Sequence, residues 1–160
     1  MIEHLLPGLG HLQNLHPLVV HYPIAFLGGA AAFYVAALLS RNERLAIAAF
    51  WMLLAGTAGA LIAIGTGLRA SEGVMVAKSV RAALLDQHET LMIITGSMAF
   101  ALSAWAIVAR PFPARGRLIF VALLIAMVGV LIKGADYGGR MVYDYNAGGA
   151  ACGQPIEFEK

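Results

Sequence analysis

The chain has 160 residues, of which 60% are hydrophobic and only 12% charged, and its mean hydropathy is +0.77. A water-soluble domain of this length needs a polar coat that this composition does not provide. We therefore predict an integral membrane protein with one membrane domain over residues 1–160. The net charge is only +2, and the basic residues stand at the ends of apolar segments, as membrane-flanking charges do. Nucleic-acid binding is not expected.

The chain has one cysteine, Cys152. This count excludes a disulfide within the chain, an all-cysteine zinc site and the Cys-x-x-Cys-His attachment of c-type haem. Lys and Arg are absent before Arg41, and the first apolar stretch is too long for a removable signal sequence. We expect the first span to be retained.

Four long apolar stretches follow one another along the chain. The predicted spans cover residues of about 17–39, 45–68, 90–108 and 118–134. At 1.5 Å per residue, each is long enough for a hydrocarbon layer about 30 Å thick. The sequence lacks the short alternating strands of a membrane barrel. The predicted fold class is therefore all-α, an integral membrane four-helix bundle, with a C-terminal tail over residues 135–160.

Two histidines and two prolines mark the start of the first span. Pro17 fits the first turn of a helix, whereas Pro23 should bend the helix or free a carbonyl near Val19. His16 and His21 are about 140° apart on a regular helix, so they cannot both face one point. Ionisable groups inside a span are costly and usually functional. We expect His21, the deeper residue, to be the ligand, with His16 as the alternative.

Small residues recur every four positions along the second span, at Ala55, Gly59, Ala63 and Gly67. Such a stripe lets a helix or a flat cofactor approach the backbone, and tight helix packing is its commoner meaning. The polar stretch 69–89 has a modest amphipathic pattern, with Val76, Val80 and Leu84 on one side. It predicts a short interfacial helix between spans two and three.

Four crossings bring the starts of spans one and three and the ends of spans two and four to one side of the membrane. That side collects His16, His21, Arg69, His88 and residues 137–145. The two tight loops on the other side concentrate Arg41, Arg44, Arg110, Arg115 and Arg117 in few residues. The positive-inside rule then places both termini and the histidines outside. We predict a multi-pass protein of the bacterial inner (cytoplasmic) membrane with periplasmic termini.

His21 and His88 are predicted at similar depth on two parallel helices. Two imidazoles facing each other across a bundle are a common way to hold a b-type haem, and glycines on a neighbouring helix would admit the macrocycle. Arg69 and Arg140 could pair with the haem propionates.

The same residues leave two alternatives open. His16, His21 and His88, with Asp86 or Glu89, could bind a bare metal ion, as in a metal-binding or metal-transport protein. The histidines could also be interfacial groups of a cofactor-free structural subunit. Paired carboxylates, a phosphate loop and a nucleophile–base motif are not visible in the sequence. An electron-transfer protein or an oxidoreductase subunit is therefore favoured over a stand-alone enzyme.

Residues 16–25 (HPLVVHYPIA), the later His88 and residues 138–143 (GGRMVY) resemble a bacterial membrane family called domain of unknown function 2231. The resemblance extends over nearly the whole chain, although the pattern departs after Tyr145. It implies four spans and makes His16, His21, His88 and residues 138–143 signature positions. Family members are sometimes fused to, or encoded near, c-type cytochromes, which implies a redox setting.

Together these features predict a membrane b-type cytochrome-like protein with one haem near the outer face. It would pass electrons from a membrane donor such as a quinol to a c-type cytochrome or another redox subunit, as part of a respiratory or redox complex.

Overall fold

The computed structural model describes residues 15–73, 77–145 and 147. Four helices within this part are long and apolar enough to cross a membrane: α1 (His16–Ser40), α2 (Glu43–Ser71), α3 (Lys78–Ala109) and α4 (Arg117–Tyr143). These same residues include no strand. The chain is a multi-pass, all-α membrane protein, which confirms the predicted fold class.

The outer surface of the bundle is apolar. Only 33–39% of the most apolar window of each helix is buried inside the bundle. The remaining apolar side chains face outward and form a surface too apolar for stable contact with water, so lipid covers them. All four helices are longer than the predicted spans, because each continues past its apolar window into the flanking polar residues.

The start of α1 is interrupted at Val20, which separates a single turn, His16–Val19, from the longer segment His21–Ser40. Pro23 lacks an N–H, so it cannot donate the helical hydrogen bond to the carbonyl of Val19. Val20 nevertheless keeps a right-handed helical conformation, with φ of −62° and ψ of −27°, and its N–H donates to the carbonyl oxygen of His16, so the interruption is local.

The start of α3 includes a wide turn. Lys78–Val80 is α-helical, Arg81–Leu85 is a π-helix, and Asp86–Ala109 continues as an α-helix. The segment expected to form a short interfacial helix is thus helical, but it is continuous with the third span. A π-helix closes its hydrogen bonds five residues apart, so it changes the direction in which the following side chains point.

The apolar side of this first part of α3 packs inside the protein. Val80, Leu84 and Leu85 are buried against Met141 of α4. Val76, the first member of the predicted apolar stripe, lies outside the described residues. The stripe meets a neighbouring helix here, and this contact explains why the segment joins the bundle.

The last helix extends further than its apolar window indicates. α4 ends at Tyr143, so the first nine positions of the predicted tail are helical. This extension carries Gly138 and Arg140 to the histidine end of the bundle. Cys152 lies outside the described residues.

The loops between paired helices are short and locally capped. Arg41 adopts a left-handed conformation (φ 54°) after α1, and the Asn42 side chain accepts a hydrogen bond of 2.9 Å from the Arg44 N–H at the start of α2. Gly116, with φ of 82°, precedes α4 in a conformation that favours glycine. The tight turns make α1–α2 and α3–α4 antiparallel hairpins.

The end of the bundle opposite the histidines is closed by aromatic side chains. Tyr34 is fully buried, and its hydroxyl donates a hydrogen bond of 2.8 Å to the carbonyl oxygen of Pro111 in the α3–α4 loop. Phe112 and Phe120 pack against the Tyr34 ring at centroid distances of 5.1 and 5.0 Å. The α3–α4 loop therefore lies at the end of α1, as the four-crossing topology requires.

Candidate functional site

His16 begins α1 and lies against the end of α2. Its Nδ1 is 3.2 Å from Oγ1 of Thr66, and the Thr66 hydroxyl donates to the carbonyl oxygen of Ala63 at 3.0 Å. The Thr66 oxygen therefore accepts, and the imidazole N–H donates. A Cβ at Gly67 would lie 2.9 Å from Cε1 of His16, so glycine leaves the space that the ring occupies.

His88 is held against α4 in the same way. Its Nδ1 lies 2.7 Å from the carbonyl oxygen of Gly134, and a carbonyl oxygen can only accept. A Cβ at Gly138 would lie 3.0 Å from Cε1 of His88. The ring is therefore oriented by one hydrogen bond and held close to the α4 backbone by one glycine.

The two imidazoles meet at the centre of this end of the bundle. The ring centroids of His16 and His88 are 6.3 Å apart, and the ring planes are at 80° to each other. Because Nδ1 of each ring donates a hydrogen bond, each neutral ring carries its acceptor lone pair on Nε2. The fold thus brings two histidines of the same tautomer, from α1 and α3, into one pair.

This pairing follows from a repeat of the two hairpins. A buried position in α1 is matched by a buried position in α3 at a fixed offset along the chain, as Leu27 is by Ala99. Positions in α2 and α4 match in the same way, with an offset that is one residue shorter. The matched buried pairs are Leu27 and Ala99, Ala30 and Leu102, Leu53 and Leu124, Ala60 and Leu131, and Ala63 and Gly134, and the half-buried Gly67 and Gly138 follow the same offset. At the first offset His16 matches His88, so the two histidines occupy equivalent positions.

His21 is placed differently from expectation. Its side chain is exposed, whereas that of His16 is half-buried, and its Nδ1 lies 2.9 Å from the carbonyl oxygen of Pro17, one turn earlier. This placement favours His16 over His21 as the partner of His88, because it is the His16 ring that contacts both α2 and the His88 ring. His21 still lines the cavity at this end of the bundle.

A cavity of 410 Å³ lies at the histidine end and is lined by all four helices. Its wall includes His16, His21 and His88, and most of the other lining side chains are apolar. The volume falls within the range of about 300–1,000 Å³ that is usual for small-molecule sites. The cavity is therefore large enough for a small molecule, and its wall is mainly apolar with imidazoles from two helices.

Glu89 also lines this cavity. Within the described part of the chain, its Oε1 is a buried side-chain oxygen without a hydrogen-bond partner.

Neither arginine of the predicted propionate-binding pair lines the cavity. Arg69 and Arg140 match each other in the hairpin repeat, and both are exposed. Arg140 pairs with Asp144, with Nε 3.4 Å from Oδ2. Arg81, which the sequence did not single out, donates a hydrogen bond of 3.3 Å to the carbonyl oxygen of Ser71, a residue of the cavity wall.

The residues proposed for a bare metal site line one cavity in part, but they do not form a ligand set. Among residues 15–73, 77–145 and 147, no group of three or more His, Cys, Asp and Glu side chains could hold a metal ion. Asp86 lies 3.9 Å from Nε of Arg81 instead. The donor set that the fold does assemble is the pair of imidazoles.

The residues that orient the imidazoles were not among those that the sequence pattern indicated. Thr66 and Gly134 accept the Nδ1 hydrogen bonds, and Gly67 was singled out only as part of a small-residue stripe. The stripe itself packs on α1, since a Cβ at Gly59 would collide with Tyr22. A usable signal was present: a pair of small residues four apart occurs near the end of both α2 and α4, at the offset that relates the hairpins.

A family model described as "Predicted membrane protein (DUF2231)" matches residues 12–151 of this chain. No curated protein and no solved structure matches the chain.

Proposed function

The chain belongs to the DUF2231 family of predicted membrane proteins, and we propose that it is an electron-transfer protein that holds one b-type haem between His16 and His88. The observation that carries this proposal is the imidazole pair, with ring centroids 6.3 Å apart and each Nδ1 hydrogen-bonded to a neighbouring helix. Four-helix bundles commonly build cofactor sites from side chains on facing helices.

The donor chemistry fits this cofactor. Metal–imidazole bonds are about 2 Å long, so a centroid separation of 6.3 Å is compatible with one metal between the two rings. Metal-ligating histidines usually donate their other N–H to a carbonyl, carboxylate or hydroxyl, which sets the tautomer and the ring orientation. Thr66 and the Gly134 carbonyl serve as those partners.

The surroundings fit as well. The apolar cavity of 410 Å³ would exclude water from most of the cofactor, and Gly67 and Gly138 keep the rings close to the helix backbones. Bound haem would supply one-electron chemistry. Arg69 and Arg140 are the exposed cations that we propose to meet its carboxylates after side-chain rearrangement.

We further propose a direction for the electrons. The α1–α2 and α3–α4 loops hold five arginines in few residues, whereas the histidine end has its basic residues spread over longer segments. The positive-inside rule then places the histidine end and both termini in the periplasm of a bacterial inner membrane. A quinol in the bilayer would be the donor, and a c-type cytochrome or another redox subunit at the outer face would be the acceptor.

The test is the visible absorption spectrum of the protein purified in detergent from cells with ample haem. We expect a Soret band and a sharp α band on reduction. His16→Ala and His88→Ala should each remove this six-coordinate spectrum, and His21→Ala, the matched control in α1, should keep it. A colourless protein with stoichiometric metal would support the metal-binding alternative. A colourless, metal-free protein would support a cofactor-free subunit.

A further inference from the structure

The end of the bundle opposite the histidines, which we call the loop end, carries an excess of positive charge. The chain between residues 40 and 117 reaches this end twice, at residues 41–44 and 110–117, and these two segments hold five arginines and one carboxylate, Glu43. All three lysines lie elsewhere in the sequence, at positions 78, 133 and 160. The cations of the loop end are therefore all guanidinium groups, which can form two parallel hydrogen bonds to one phosphate.

The two ends of the bundle differ in how their cations are neutralised. The ion pairs among residues 15–73, 77–145 and 147 all lie at the histidine end, and they are Arg81 with Asp86, Lys133 with Asp136 and Arg140 with Asp144. The five arginines of the loop end form no ion pair with these described residues. The net charge of +4 that follows from five arginines and Glu43 is thus left for a partner outside the chain.

One of the five arginines is already engaged by the fold. The Arg117 guanidinium lies 5.3 Å above the centre of the Phe112 ring, and its Nε donates a hydrogen bond of 3.1 Å to the carbonyl oxygen of Pro113. The other four side chains are exposed, and we call them the arginine cluster: Arg41, Arg44, Arg110 and Arg115.

Both hairpins contribute to the arginine cluster. The hydrogen bond from Tyr34 to the carbonyl oxygen of Pro111 holds the α3–α4 loop at the end of α1. At the offset that relates α2 to α4, Arg44 matches Arg115. The cluster therefore belongs to one end surface of the bundle, to which each loop supplies an arginine at an equivalent position.

The apolar neighbours of the arginine cluster fix its depth in the membrane. Leu39, Val108 and Leu118 are 79%, 85% and 72% exposed, and each lies within three residues of a cluster arginine. These side chains need hydrocarbon around them. The arginines that stand next to them in the chain therefore lie at the boundary between hydrocarbon and water, which is the level of the lipid phosphates.

We propose that the arginine cluster is a binding surface for anionic phospholipids, whose phosphate groups accept hydrogen bonds from the unpaired guanidiniums. A zwitterionic headgroup brings its own cation, so the excess positive charge favours a headgroup with net negative charge. The depth of the cluster favours a lipid over an acidic protein. This surface lies at the opposite end of the bundle from the proposed haem site and does not require haem.

The two tryptophans of the chain provide a local reporter for the test. Trp51 is 63% exposed early in α2, and Trp105 lies beside the α3–α4 loop, where a Cβ at Gly116 would be 3.3 Å from its ring. The full-length protein is reconstituted in phosphatidylcholine bilayers that contain a minor fraction of brominated phosphatidylglycerol or of brominated phosphatidylcholine with the same acyl chains. Bromine quenches tryptophan fluorescence at short range, so quenching measures which lipid occupies the loop end.

We expect phosphatidylglycerol to associate at least about fivefold more strongly than phosphatidylcholine, the factor that corresponds to one Lys or Arg near an anionic surface. The preference should decrease in about 1 M salt, because the Debye length falls to about 3 Å. Equal quenching by the two lipids would overturn the proposal and leave an acidic protein surface as the partner of the cluster.

Paired variants locate the effect. Arg44→Gln combined with Arg115→Gln should remove most of the preference for phosphatidylglycerol. Lys78→Gln combined with Lys133→Gln removes the same charge from exposed positions at the histidine end and should keep it. Equal losses in the two double variants would assign the preference to net charge and overturn the site.

A conservative pair covers the case in which the glutamine variant does not fold. Arg44→Lys combined with Arg115→Lys keeps both charges and replaces each planar guanidinium with a single point of charge. This variant must still lower the preference for phosphatidylglycerol. An unchanged preference would show that the guanidiniums do not bind the phosphate.

Discussion

Gly67 provides the surface on which the His16 ring rests, because a Cβ at this position would lie 2.9 Å from the ring Cε1. The ring cannot retreat without lengthening its hydrogen bond to Thr66, which is 3.2 Å in this structure. The position of one proposed haem ligand is therefore set by the absence of a side chain on the neighbouring helix.

This contact predicts the effect of a single methyl group. Gly67→Ala should displace the His16 ring and lower haem affinity by roughly tenfold or more, within the range found when groups that orient a metal ligand are changed. Gly65→Ala is the control, since a Cβ at Gly65 would meet nothing within 4 Å. Haem titration followed at the Soret band measures both. Equal affinities for the two variants would show that the ring is not held by this contact.

The hydroxyl of Thr66 should matter through hydrogen bonding rather than bulk. Thr66→Val keeps the shape of the side chain and removes the acceptor of the His16 Nδ1–H, so haem affinity should fall by about 10- to 100-fold. Thr90→Val is the control, because the Thr90 hydroxyl is exposed and bonds only to the carbonyl of Asp86 on its own helix. If both valine variants titrate like the parent protein, the Thr66 contact does not orient His16.

A buried hydroxyl pair joins the two hairpins in the middle of the bundle. Oγ1 of Thr57 lies 2.8 Å from Oγ of Ser103, and both residues are buried. We expect Thr57→Val to reduce the free energy of unfolding by about 0.6–1.7 kcal/mol, the range found for hydrogen bonds between membrane helices.

Unfolding in mixed micelles of increasing denaturing detergent measures this effect. Ser103→Ala and the double variant complete a mutant cycle, whose coupling energy isolates the hydrogen bond. Strict additivity of the two single changes would mean that the pair does not contribute as a hydrogen bond.

The native cysteine allows the proposed orientation to be tested. With both termini outside, Cys152 should react in intact cells with a membrane-impermeant maleimide that enters the periplasm. In a Cys152→Ser background, Ala114→Cys places the thiol in the exposed α3–α4 loop without changing any charge. This second thiol should react only after the cells are permeabilised. The reverse pattern would place the histidine end in the cytoplasm.

The ends of the helices show where sequence patterns stop being informative. Charged residues between 78 and 89 made that segment look interfacial, yet it continues α3 because Val80 and Leu84 are buried against Met141. Residues 135–143 were expected in the tail, yet they are helical. The reason is that α4 packs there against α3, where Gly138 contacts the His88 ring. In both cases a contact with a distant part of the chain determines the helix boundary, and local composition does not report it.

The sequence by itself determined that this is a four-span membrane bundle with its histidines at one end. Composition and span length establish the four spans. Because successive spans cross the membrane in opposite directions, the helix ends that carry these histidines must lie on one side, whatever the packing. Only the tertiary structure decided which histidine joins His88. That choice depends on how the first turn of α1 lies against α2, where the His16 ring contacts Thr66 and Gly67. Two imidazoles five residues apart have the same chemistry, so their roles differ only through neighbours that are distant in the chain.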